Sequence, residues 1–223
     1  MPDLSPKAEA LKILNNGGSN TTADEILKTA KKLKKLKSFN YARRILAIAI
    51  DFKGVKNDLM LTLYQQLALC TGKDADLSAA ARYDEALAIL KNNIPSLDTT
   101  KNQETLGIAG GIMKRKWEST AQIKDLETSY NYYCKGYREG IANNQGYCAI
   151  NAAFVLDLLA ISTNEDEADT GSPFPKKEAF QNEAKKIRTE IVAALEKDID
   201  KVDPGGKWWV LVTLAEADRK SVV

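Results

Sequence analysis

Histidine is absent from the 223 residues. That removes Ser-His-Asp and Cys-His catalysis, histidine-ligated metals and histidine pH switching together. The three cysteines, Cys70, Cys134 and Cys148, are odd in number and widely spaced, so neither a disulfide framework nor a CxxC metal knuckle is implied. They read as small apolar side chains buried in a reducing compartment. Gly107, Gly110 and Gly111 follow no strand pattern and are not a dinucleotide fingerprint. Each costs about 1 kcal/mol relative to alanine inside a helix, and close approach of a neighbouring helix would account for them. Glu165-Asp-Glu-Ala-Asp169 lacks the ligand spacing and central glycine of an EF-hand loop. Carboxylates occur in pairs, but none has a recognisable acid/base arrangement. The expectation is no catalytic residue, no metal, no cofactor and no enzymatic activity.

Charge points the same way. Lys+Arg 32 against Asp+Glu 30 leaves a formal charge of +2, too balanced for a dedicated phosphate-backbone binder. Lys28, Lys31, Lys32, Lys34, Lys35 and Lys37 form a basic run beside Arg43 and Arg44, which could serve an anionic surface or nucleic acid. No aromatic residue interrupts the lysines, as single-strand binding would want. The run therefore reads as the solvated face of an amphipathic helix whose inner stripe is Ile26, Ala30, Leu33 and Leu36. Met1–Gly18 is not a signal peptide, and no stretch reaches the roughly 18 apolar residues of a membrane span. A cytoplasmic protein is expected, with no nucleic-acid and no membrane partner.

The elements that must position any site are helices. Ser5-Pro6 opens a short one to about Leu14. Thr22-Ala-Asp-Glu25 is a capping box for the next. Phe39 and Asn40 break that pattern before Tyr41, Ile45, Ile48 and Phe52 mark another helix. Leu61, Tyr64, Leu67 and Ala68 line the following one. Ala79, Tyr83, Ala86, Leu87 and Leu90 line a helix over about 77–93 that Pro95 closes. Thr100-Lys-Asn-Gln103 reads as a second capping box, for a helix to about Ser119 in which Leu106, Gly110, Met113 and Trp117 share a face. Helices over about 123–139 and 147–162 follow, and Tyr133 and Tyr137 face the core together in the first of these. Thr163–Lys176 reads as an acidic surface loop. A helix over about 177–202, a turn at Asp203-Pro-Gly-Gly206 and a last helix from about Lys207 complete the chain. The fold class is all-α, with about nine helices after the short first one.

Small residues beside large ones recur where helices of a hairpin stack would cross: Leu67-Ala68, Leu106-Gly107 and Asn151-Ala152. Their separations exceed the roughly 34 residues of the regular tetratricopeptide repeat, so the hairpins are irregular. Three segments are more specific: Glu104-Thr-Leu-Gly107 with Lys114-Arg-Lys-Trp117-Glu118; Asp125-Leu-Glu127, Tyr133, Gly136-Tyr137 and Tyr147-Cys-Ala-Ile-Asn-Ala-Ala153; and Trp208-Trp209 with Thr213 and Glu216-Ala217. Their order and spacing resemble the TRAFs-binding domain of the apoptosis signal-regulating MAP kinase kinase kinases and of related bacterial proteins. The likeness runs over roughly 20–217 and is strongest from Gln103 to Leu159. Ala149 stands where that family usually has glycine, and Trp208-Trp209 where it has Tyr-Trp. The resemblance implies a tetratricopeptide-like solenoid without catalytic activity, a regulatory scaffold for a neighbouring effector domain; TRAF binding itself is not carried over.

Three regions result: 1–20, a short helix and linker; 21–217, the tetratricopeptide-like domain; and 218–223, Asp218-Arg-Lys-Ser-Val-Val223, which matches the translation of a DNA-sequencing adapter and is expected to be an artefactual tail. The expected function is a non-catalytic protein-interaction or regulatory scaffold with a protein or peptide partner. The alternative is a helical sensor binding a small ligand, such as a nucleotide or peptide, in its concave groove. First helices of hairpins line that groove, which places Glu104, Ile108, Arg115, Tyr147, Asn151, Trp209, Thr213 and Glu216 in it. The competing reading makes Arg115 and Glu216 satisfy each other in a buried network, with Asn151 capping backbone groups.

Overall fold

The computed structural model describes residues 4–93, 97, 99–168, 175–201 and 204–221. Among them are ten α-helices and no strand, an all-α chain of helical hairpins as expected. It divides into two compact units, 1–100 and 101–223.

Local signals set most helix starts in the first unit. Ser5 caps α1 (Pro6–Asn15) by accepting from the Ala8 N–H, with proline in the first turn. Thr22 and Glu25 form the expected reciprocal box at the head of α2 (Ala23–Lys35): Glu25 accepts from the Thr22 N–H at 2.8 Å, and the Glu25 N–H donates to the Thr22 hydroxyl at 3.3 Å. Next come α3 (Phe39–Ala49), α4 (Asn57–Lys73) and α5 (Ala79–Asn93). α2 packs on α3, α3 on α4 and α4 on α5, and α1 rests on α2 and α3. Ile26, Ala30 and Leu33 meet Ala42, Ile45, Leu46, Leu63, Leu67 and Cys70 in one core.

The inner stripe of α2 ends one residue short of expectation. Leu36 is exposed because the chain reverses there, with Lys37 in the left-handed region at φ 54°. Phe39 and Asn40, read as a break, are the first turn of α3; the break is the reversal just before them. In α4 the buried stripe is Leu63, Leu67 and Cys70, with Leu61 and Tyr64 half-buried, and in α5 Ala79 is exposed while Tyr83, Ala86 and Leu90 are buried. Lys28, Lys31, Lys32 and Lys35 are exposed as a solvated face requires, but Lys34 donates to the side-chain oxygen of buried Gln66. Arg43 is also no simple surface charge. Its Nε reaches buried Asp74 at 2.8 Å, and the other Asp74 oxygen accepts from the Asp76 N–H, so this pair ties α3 to the α4–α5 link.

The second unit contains α6 (Gln103–Thr120), α7 (Ile123–Arg138), α8 (Tyr147–Ala168), α9 (Pro175–Leu195) and α10 (Pro204–Ser221), with 3-10 turns at Ala142–Asn144 and Glu196–Lys201. Consecutive helices pack on one another, α6 also touches α8, and α8 touches α10. Leu126, Tyr133, Ala152, Ala153, Leu156, Ile187, Ile191, Leu195, Val210 and Ala217 make the core.

Several boundaries differ from the sequence reading. α8 continues through Ala168 because Thr163–Ala168 contains neither glycine nor proline; of the expected acidic loop, 169–174 lie outside the described residues. Pro175 and Pro204 begin α9 and α10, where a missing N–H costs nothing, so α10 starts before Lys207. Asp203 of the expected turn lies outside the described residues. Asn102, not Thr100, caps α6, accepting from the Thr105 N–H at 2.9 Å. Trp117 and Tyr137 are half-buried against the core, whereas Tyr133 is fully buried. The Tyr137 hydroxyl turns outward to donate to Glu190.

Candidate functional site

α6, α8 and α10 are the first helices of successive pairs in the second unit, and the glycines of α6 decide what lies between them. A Cβ at Gly110 would sit 2.9 Å from three atoms of the Tyr133 ring. A Cβ at Gly107 would sit 2.9 Å from the Tyr147 ring, and one at Gly136 only 2.5 Å from the Cys148 sulfur. The close approach inferred from the glycine pattern is therefore made by tyrosine rings and a thiol of α7 and α8, not by bare backbone. Gln103 locks the same corner. Its amide nitrogen donates to the carbonyls of Gly136 and Gly140, both at 2.7 Å, which pins the start of α6 to the end of α7.

On this frame Tyr147 is 47% exposed and meets the buried Tyr133 edge-on, with ring centroids 6.2 Å apart. Arg115, half-buried, donates through a terminal guanidinium nitrogen to the Gly111 carbonyl at 2.9 Å. Burial pushes the Tyr133 phenol well above its ordinary range, and the Tyr147 hydroxyl beside it pushes it further. Burial also raises Tyr147. The positive charge of Arg115 opposes the rise in both phenols, which places the guanidinium beside this tyrosine pair. Both phenols are neutral donors at physiological pH. Glu104 is exposed at the other end of the α6 stripe; with Tyr147, Asn102, Gln103, Asn143 and Gln145 it lines a cavity of about 460 Å³. Lys114 lies 5.0 Å from the Phe154 ring centre and 3.2 Å from Glu118, a second link from α6 to α8.

The structure thus brings Glu104, Tyr147 and Arg115 onto one face, with Tyr133 behind them. Asn151 is half-buried, and its amide donates to the Tyr147 carbonyl one turn back. Ile108 is buried and belongs to the core rather than to an open surface. Thr213 is also buried: its hydroxyl donates to the Trp209 carbonyl, and its methyl packs where a Cβ at Gly146 would be. Trp209 is 62% exposed and Glu216 is exposed, both on α10. The buried Arg115–Glu216 network is not formed: Arg115 uses the Gly111 carbonyl, and among the described residues no carboxylate pairs with it. Gln103 and Tyr133 were missed as site-forming residues. In the sequence Gln103 reads as part of a cap and Tyr133 as packing alone, since only the fold brings Gly136, Gly140 and Gly111 to them.

The cysteines are buried and unpaired. Burial pushes the Cys70 thiol up to about 12 and the Cys148 thiol up to about 11, so neither is a ready thiolate. Among the described residues no cluster of cysteine, aspartate and glutamate could hold a metal ion, and no helix is long and apolar enough to cross a membrane. A family model described as Tetratricopeptide Repeats-Sensor matches residues 23–156, a span that includes Glu104, Arg115, Tyr133, Tyr147 and Asn151. No curated protein and no solved structure matches the chain.

Proposed function

The chain belongs to the Tetratricopeptide Repeats-Sensor family, and we propose that it is a non-catalytic sensing module that holds a short peptide along α6, between Arg115 and Glu104. Family membership gives the coarse function, a helical-repeat module for protein interaction or sensing. One observation supports the finer reading. The half-buried guanidinium of Arg115 sits beside two phenols, bonds a helix carbonyl and meets no carboxylate among the described residues. A partly desolvated cation gains most from an incoming anion, so a carboxylate or phosphate of the ligand belongs there. Tyr147 offers a half-exposed ring with a neutral hydroxyl. Glu104, eleven residues before Arg115 on the same stripe, offers an acceptor about 16 Å away. That is the reach of about five extended residues, anionic at one end and cationic at the other.

The resemblance to the regulatory domain of the apoptosis signal-regulating kinases supports an output of the same kind: occupancy of the groove controls an effector domain. TRAF engagement is not part of the proposal. A thermal-shift screen of short peptides, with nucleotides and metabolites alongside, tests the reading. A ligand bound only to the native state at a hundred times its dissociation constant adds about 2.7 kcal/mol. Peptides with an acidic and a basic end are expected to give a saturable rise in Tm. A rise with nucleotides alone would replace the peptide by a small ligand in the same groove.

A further inference from the structure

The side-chain nitrogen and oxygen of Asn144 are both buried, and among the described residues neither bonds a partner. A buried amide in that state forfeits its hydration with nothing in return, so its position calls for a reason. Asn144 lies in the wall of the cavity of about 460 Å³ that Glu104 and Tyr147 also line. Three other amides of that wall are already engaged. Asn102 accepts from the N–H and the hydroxyl of Thr105, Gln103 donates to the Gly136 and Gly140 carbonyls, and Asn143 donates to the Glu139 carbonyl at 2.8 Å. Burial raises the Cys148 thiol, the Asn144 amide draws it down and the Glu104 charge pushes it up, which places both groups near one sulfur. The lining residues carry one carboxylate, Glu104, and no cation.

We propose that this cavity holds the free amino terminus of a peptide, with the ammonium on Glu104 and the first peptide unit on the Asn144 amide. The inference rests on the peptide groove proposed above and assigns one end of it. A terminal residue supplies what the cavity lacks: an ammonium for the carboxylate, a carbonyl for the Asn144 NH2 and the next N–H for the Asn144 oxygen. A lysine or arginine side chain offers donors only, so the Asn144 NH2 would stay unpaired. Asn144 breaks no hydrogen bond when its side chain turns from the wall toward a ligand, so the turn costs only a change of rotamer. Gln103 closes the corner behind the cavity by tying α6 to the end of α7, which suits the end of a chain rather than its middle. From there the peptide runs along α6 to Arg115. Its cationic end is then the amino terminus, and its anionic end an acidic group about five residues on.

Equilibrium dialysis of the full chain against three pools of peptides of about five residues, with bound and free peptide measured by mass spectrometry, tests this. Every pool ends in aspartate amide and is mixed at the middle positions. The first residue is alanine with a free amine, N-acetylalanine or N-acetyllysine. The free-amine pool is expected to bind at least about tenfold more tightly than either acetylated pool. Asn144→Ala should weaken the free-amine pool about tenfold and leave Tm no lower, because no native hydrogen bond is lost. Glu104→Gln should reduce the free-amine pool to the level of the N-acetylalanine pool. If the N-acetyllysine pool binds as tightly as the free-amine pool and is weakened by Arg115→Ala, the groove stands and the amino-terminal assignment falls. Free-amine binding that is unchanged by Asn144→Ala, or a marked drop in Tm on that substitution, would also overturn the assignment. Binding that in no pool depends on Arg115 would overturn the groove and the assignment together.

Discussion

Replacing Tyr133 with alanine is expected to destabilise the chain by about 3–5 kcal/mol, the range for deleting a fully buried aromatic side chain. The ring is 1% exposed and joins α6, α7 and α8. It fills the space left by Gly110, where a Cβ would lie 2.9 Å from three ring atoms, and its hydroxyl ends near Gly111 and Tyr147. The surrounding helices are held by Gln103 and by the Ser129 hydroxyl, which donates to the Gly110 carbonyl at 2.8 Å; they cannot close fully on the hole. A second substitution makes the test specific. Gly110→Ala should be destabilising in the wild-type chain, because the new methyl meets the ring, and nearly neutral once Tyr133 is alanine. Equilibrium denaturation of the four chains measures that coupling. If Gly110→Ala costs the same in both backgrounds, the ring and the glycine do not face each other.

The second large effect is expected at Asp157. Arg188 is buried on α9, and its guanidinium is bonded twice to Asp157 of α8 and once, at 3.4 Å, to the Ala153 carbonyl. Asp157→Ala leaves that cation buried with one long hydrogen bond, and removal of one partner of a buried pair costs about 3–5 kcal/mol. Arg188→Met should cost less, because the Asp157 carboxylate is 26% exposed and water can reach it. The double variant, with no charge left to desolvate, should be more stable than Asp157→Ala alone. Denaturation midpoints that rank Arg188→Met below Asp157→Ala would contradict this placement of the pair.

Features set by residues three or four apart were legible in the sequence. The Thr22–Glu25 box, Ser5-Pro6, and the buried stripe of Ile26, Ala30 and Leu33 depend only on local spacing, and all are found. Local reading failed where two local solutions compete. Thr100 and Asn102 can both cap, and Asn102 does so because Gln103 is needed as the first helical residue, reaching Gly136 and Gly140. Leu36 continues the apolar period of α2 but falls on the reversal at Lys37. The groove was legible as a stripe on α6, yet one stripe does not say which side chains are open. Ile108 and Thr213 are covered by their neighbours, whereas Glu104, Tyr147 and Trp209 are not. Pairs such as Arg43–Asp74 and Arg188–Asp157 join residues 31 positions apart, a separation at which no sequence period marks a contact.

Selection of a random short-peptide library on the wild-type chain, with a counter-selection on Arg115→Ala, tests the sensing groove most directly. Arg115 is half-buried, and among the described residues its hydrogen bond is to the Gly111 carbonyl of its own helix, so alanine there should change stability by no more than about 1 kcal/mol. Loss of a charge-assisted contact to the ligand, about 1.5–3 kcal/mol, should weaken binding at least about tenfold. The result predicted is a set of peptides, acidic at one end and basic about five residues away, that bind the wild-type chain and are lost from the folded Arg115→Ala chain. Peptides that bind both chains equally, or an Arg115→Ala chain that loses several kcal/mol of stability while its folded fraction binds as before, would contradict the account.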